Sequence, residues 1–165
     1  MKKITYNTVL IALVIFINAC AGYKPIYSSS NLHFEIADHA ISGDKKLGNE
    51  LFSKLYYLSD SKKENPETKS IYVSIEIIKE KNSTVKNSAG KILEYKISLD
   101  SKILLTDYLS GQKILDYKSS SFSSYRVQEQ YSETLRLENT AAENILEKIY
   151  QDLLIKLSEK MLTEW

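Results

Sequence analysis

Leu93-Glu94-Tyr95-Lys96-Ile97-Ser98-Leu99-Asp100 sets apolar side chains at odd positions and polar ones at even positions. Alternation with period two sends successive side chains to opposite faces, so this segment predicts a half-buried strand. Ile103 and Leu105 resume the same parity, which extends the strand and puts a bend near Ser101. Upstream, Ile71, Val73, Ile75 and Ile77 share one face, with Tyr72, Ser74 and Glu76 on the other. The polar stretch 82–90 between them reads as a hairpin connection. Downstream, Ser110-Gly111 turns the chain, and 114–125 forms a further strand with Leu115 and Tyr117 on one face. Its second half, Ser119-Ser120-Ser121-Phe122-Ser123-Ser124-Tyr125, loses the regular period, which predicts a bulge or an exposed end.

The flanks are helical. Leu47, Leu51, Leu55 and Leu58 recur at helical spacing after Ser42-Gly43-Asp44, with Asp44 or Ser42 as N-cap. That helix ends before Ser59, and a charged loop follows through Pro66 to Thr68. Ahead of it, Leu32, Phe34 and Ile36 alternate with His33 and Glu35 as a first strand. Near the C-terminus, Ala142, Ile145, Leu146, Ile149, Leu153, Leu157 and Met161 form a continuous stripe at steps of three and four. Thr140 and Glu143 have the spacing of a capping box at its start, although the helix has room to begin earlier. The order is β-α-β-β-β-α. A strand–helix–strand crossover and a final amphipathic helix are both satisfied by an α+β two-layer sandwich. Its four-stranded mixed sheet carries two helices packed on one face, and the opposite face, with Tyr72, Glu94, Lys96 and Ser98, is free.

The N-terminus has a different character. Lys2 and Lys3 precede Val9-Leu10-Ile11-Ala12-Leu13-Val14-Ile15-Phe16-Ile17, an uncharged apolar run. As a helix that run rises only about 14 Å, short of a hydrocarbon core about 30 Å thick. A basic start, a short apolar segment and small residues before a cut are the parts of a removable export signal. Ile17-Asn18-Ala19-Cys20 resembles the lipobox of bacterial lipoproteins, with Asn18 larger and more polar than is usual. The resemblance implies cleavage after residue 19, diacylglycerol on the Cys20 thiol and an acyl chain on its amine; the competing reading is a free cysteine behind an uncleaved anchor. The organisation expected is a signal peptide over 1–19, a lipidated tether over 20–31 containing Pro25, and a single domain over 32–165.

Composition narrows the classes further. Removing 1–19 from 165 residues leaves 165 − 19 = 146, one ordinary domain, and losing two lysines takes the charge from +1 to −1. A near-neutral chain gives no argument for nucleic-acid binding. With Cys20 the only cysteine, the domain holds no internal disulfide and depends on its core. Twelve tyrosines suit surfaces that are half apolar and half wet, although strand filling accounts for most of them.

No catalytic constellation emerges. His33 and His39 lack the further ligands of a metal site and read as solvent-facing residues at a strand's end. Asp38, His39 and a serine could be assembled into a triad only without a nucleophile elbow or oxyanion turn. Glu76, Glu80 and Glu94 flank a hairpin, where carboxylates face water. The expectation is no enzyme, no metal and no cofactor.

Taken in order, Cys20-Ala21-Gly22-Tyr23 with Pro25-Ile26-Tyr27, the strand Leu93-Glu94-Tyr95-Lys96-Ile97, and the helical run through Glu138, Ala141, Ala142, Ile149 and Leu157 resemble the lipopolysaccharide-assembly lipoprotein family, LptE (RlpB). Ala21 stands where glycine is common, and the polar C-terminal tail of some members is absent. The resemblance implies a non-enzymatic outer-membrane lipoprotein on the periplasmic side, seated in the LptD β-barrel translocon as a plug. It also implies lipopolysaccharide as ligand, with Lys86, Lys91, Lys96 and Lys118 as candidate contacts for its phosphates. The alternatives are an accessory lipoprotein of an ABC-type lipid transporter and, more distantly, a secreted lipoprotein hydrolase.

Overall fold

A computed structural model of the chain describes residues 34–59 and 68–164. The signal, Cys20, the tether, Leu32, His33 and the loop through Pro66 lie outside the described residues. The elements are β1 Phe34–Gly43, α1 Lys45–Leu58, β2 Lys69–Lys86, β3 Ile92–Asp107, β4 Lys113–Arg126 and α2 Tyr131–Glu164. They form one mixed sheet in the order β1-β2-β3-β4. β1 runs parallel to β2 because α1 carries the chain back along the sheet, whereas β2–β3 and β3–β4 are antiparallel pairs joined by hairpins.

Parity decides the faces. Ile71, Val73, Ile75 and Ile77 of β2 and Ile97, Leu99, Ile103 and Leu105 of β3 are all buried. Leu47, Leu51 and Leu55 of α1 close over one half of this face. Ala142, Ile145, Leu146, Ile149, Leu153 and Leu157 of α2 close over the other. The helices lie side by side, linked by a 2.8 Å bridge between Lys54 Nζ and Glu147 Oε2. The α+β sandwich with both helices on one face is therefore the observed architecture, and Tyr72, Glu94, Lys96 and Ser98 stand on the side that no described helix covers.

Several local readings are corrected. β3 runs unbroken through Ser101, which keeps the inward position and is buried; its hydroxyl donates to the Ser119 carbonyl at 3.3 Å, so no bend is required. The hairpin after β2 is shorter than 82–90, because pairing with β3 continues to Lys86 opposite Ile92. The serine-rich half of β4 keeps its register, pairing Ser119 to Ser101, Ser121 to Leu99 and Ser123 to Ile97; the β3–β4 shift falls instead at Leu105/Thr106. α2 begins at Tyr131, nine residues before Thr140, so Thr140 and Glu143 lie within the helix and do not cap it. Thr134 serves the entry instead, its Oγ1 accepting the Gln128 N–H at 2.8 Å.

The passage from β1 into α1 is tightly built. Gly43 has φ +74°, and an added Cβ would lie 2.0 Å from the Ile77 carbonyl oxygen. That oxygen accepts the Asp44 N–H at 2.7 Å, and Asp44 Oδ1 in turn accepts the Leu47 N–H at 3.1 Å as the N-cap of α1. Ser42, the other N-cap candidate, remains in β1. Asp44→Ala is expected to lower stability by about 1 kcal/mol and Asp44→Asn by much less, read as urea midpoints.

Candidate functional site

The four lysines singled out from sequence do not converge. Lys86 and Lys91 flank the β2–β3 hairpin and are exposed. Asn87 fixes that turn: its Oδ1 accepts the Ala89 and Lys91 N–H groups at 3.0 and 2.9 Å, and its own N–H donates to the Lys91 carbonyl. Lys96 lies about 16 Å further along β3 at ~3.3 Å per residue, its Nζ 5.3 Å from the Phe122 ring centroid. Lys118 pairs across from Lys102, a further six residues or about 20 Å along. A single phosphate reaches at most the hairpin pair. The lysines form a file along an extended ribbon.

The uncovered sheet face is rough and mixed in charge. Glu76 pairs with Lys102, and Lys102 in turn with Lys118; Asp100 sits between Ile78 and Ser120. These residues border a shallow depression of about 330 Å³. Phe122 is 69% exposed on the same face. Such a face offers hydrogen-bonding groups and isolated apolar anchors, the composition of a contact surface with wet rims.

A cluster that sequence reading overlooked lies beyond the helix-covered core. Lys79 and Lys81 continue the inward parity of β2, so both point to the α2 side. Glu138 of α2 meets them, with Oε2 2.6 Å from Lys81 Nζ and Oε1 3.3 Å from Lys79 Nζ. The Tyr125 hydroxyl donates to Glu138 Oε2 at 2.9 Å. Lys81 Nζ lies 4.3 Å from the centre of the Tyr95 ring, and Tyr95 and Tyr125 are 5.9 Å apart. Burial alone would push the Glu138 carboxyl up, but hydrogen bonds from Lys81, Tyr125 and Lys79 outweigh it and hold it below the ordinary range. The bond to Glu138 raises Lys81, and burial raises Tyr125. The available signal was the parity: two lysines on an apolar face require a facing carboxylate.

His39 is exposed, as expected, and its ring stacks on Phe52 of α1 at 3.9 Å. A register shift between Ile36 and Asp38 turns it to the helix side. Asp38 Oδ1 accepts the His39 backbone N–H at 2.7 Å, so the two side chains do not build a relay. Among the described residues there is no cluster of three metal-ligating side chains. No described helix is long and apolar enough to cross a membrane.

No protein-family model matches the chain, and no curated protein does. Solved structures do. Rare lipoprotein B from Shewanella oneidensis superposes with a TM-score of 0.50 at 13% identity, covering 74% of this chain and 97% of that one. A minor lipoprotein from Acinetobacter baumannii gives 0.51 at 12% identity, over 76% and 93%. The chain has their fold. At such identity the likeness rests on element order and sheet topology and does not extend to the residues at the hairpin or in the Glu138 cluster.

Proposed function

We propose that this protein is an outer-membrane lipoprotein, held on the periplasmic side by lipid on Cys20, that seats in the LptD β-barrel as a plug and assists lipopolysaccharide assembly. The observation that carries the reading is a lipobox-type cysteine ahead of a fold shared with rare lipoprotein B and a minor lipoprotein. Acyl chains contribute about 0.8 kcal/mol per buried methylene, so several together hold a domain firmly at a bilayer. A plug has to be stiff and has to offer polar groups to a wet lumen. The continuous core beneath α1 and α2 supports the first demand, and the mixed face around Lys102 and Phe122 supports the second. The reading assigns the chain a structural role and no catalysis.

In a mild-detergent pulldown from outer membranes, the full chain is expected to retain a large β-barrel protein. Retention of an inner-membrane ATPase complex in its place would move the protein to the transporter reading. Of the four candidate lysines, Lys86 and Lys91 at the hairpin are the two nearest each other, and both are exposed. Lys86→Ala with Lys91→Ala is expected to weaken binding of purified lipopolysaccharide about tenfold, and unchanged binding would remove the hairpin as a contact.

A further inference from the structure

We infer that the free edge of β4, together with the cleft beside it, is a docking site for an extended segment of a partner polypeptide, with acidic side chains turned toward α2 and apolar ones toward the open face. β4 is the last strand of the sheet, and no strand lies beyond it among the described residues. It is fourteen residues long, contains no proline, and keeps register with β3 through its serine-rich half. A long edge of that kind presents a row of backbone donors and acceptors to any strand that arrives.

The surroundings select what arrives. Between β4 and α2 lies a cleft of about 380 Å³ lined by Ser121, Phe122, Ser123, Asn144, Ile145 and Lys148. The small side chains of Ser121 and Ser123 leave room under the edge where larger residues would have closed it. A strand added about 4.8 Å from β4 would send alternate side chains into this cleft. There they meet the Asn144 amide and the Lys148 ammonium, partners for a carboxylate. The other side chains would emerge on the open face beside Phe122, whose exposed ring favours an apolar cross-strand neighbour. Lys118 and Arg126 share the open-face parity of Phe122, so on the α2 side the selection of a carboxylate rests on Asn144 and Lys148; the Lys113–Asp116 pair is internally neutral. The same charges oppose pairing of β4 with β4 of a second copy, since like signs would be brought together. Strand addition gains affinity from main-chain hydrogen bonds and specificity from alternate side chains, and both parts are present here.

The test uses the full chain in mild detergent and a short capped peptide alternating glutamate with valine. Hydrogen exchange should show alternate β4 amides open in the free protein and protected on peptide addition. Lys148→Glu and Phe122→Ser, both at exposed positions, should each weaken binding about tenfold, and a peptide with lysine in place of glutamate should bind at least tenfold more weakly. N-methylation at every second residue strips donors from one peptide edge. One of the two alternately methylated peptides should therefore lose binding while the other keeps it. Retention by both, equal binding of the lysine peptide, protection already present in the free chain, or doubling of the mass through β4 would each overturn the proposal. A barrel retained in the pulldown bears on the plug reading alone, so the two can fail separately.

Discussion

Gly43→Ala will lower the stability of the domain by roughly 4 kcal/mol or more, a large share of the ~5–15 kcal/mol that holds a domain of this size together. Two effects combine. At φ +74° an L side chain is strained by about 1–2 kcal/mol. The added methyl would also stand 2.0 Å from the Ile77 carbonyl oxygen, and backbone in mid-sheet has no soft direction in which to retreat. Relief would require lifting the end of β1 from β2, which breaks the 2.7 Å bond from the Asp44 N–H to that same oxygen. Asp44 is the N-cap, so the displacement propagates into the first turn of α1 and loosens Leu47 and Leu51 in the core. Gly111→Ala is the matched control. Its φ is +68° but nothing lies within 4 Å of an added Cβ, so only the same strain remains, about 1–2 kcal/mol. Denaturant midpoints of the two variants measure the contact as their difference. Equal losses would mean that the β1–α1 corner yields more readily than its packing implies.

What the sequence makes legible follows from where burial enforces a pattern. β3 lies mid-sheet beneath the helices, so its alternation is strict, and even Ser101 occupies the inward slot that parity assigns it. Where no helix covers the sheet, the pattern relaxes although the strand does not. Residues 82–86 are polar but for the exposed Val85, because neither face there needs to be apolar, and β2 persists by pairing with the start of β3. The serines of β4 read as irregular for a related reason. Ile97 and Leu99 on the neighbouring strand supply the bulk, and the edge strand can remain small. The first turns of α2, for which the sequence leaves room, carry no continuous stripe before Glu138, because Leu135 is 42% exposed and Leu137 half-buried. Of the candidate site, the identities of Lys86, Lys91, Lys96 and Lys118 were visible in the sequence. Their separation was not, since it depends on strand rise and pairing that only the sheet supplies.

Glu138→Ala is expected to cost about 2–3 kcal/mol, below the 3–5 kcal/mol of a fully buried pair because both lysines keep a path to water. Side-chain exposures of 14% for Glu138 and 24% for Lys79 put the pair inside the protein surface, and Lys81 at 38% reaches its edge. Without the carboxylate, two ammonium groups and the Tyr125 hydroxyl would face one another without their common acceptor. The sign of the pH dependence follows from the shifts. Glu138 is held below its unfolded value, so its contribution is complete above about pH 4.3 and fades as pH falls through the folded value. Lys81 is raised, so its contribution is complete below about pH 10.4 and fades as pH rises beyond it. The difference between wild type and Glu138→Ala should thus be flat across neutral pH and shrink toward acid. Replacing Lys79, Lys81 and Glu138 together by Met, Met and Leu should recover most of the loss, because an apolar cluster of similar volume needs no charge compensation. Hydrogen exchange would locate the effect: in Glu138→Ala the amides of the distal β2–β3 ribbon should open first, while Ile75 and Ile103 under the helices keep their protection. A uniform loss of protection would instead mean that the ion cluster supports the whole core and not the ribbon that carries Lys86 and Lys91.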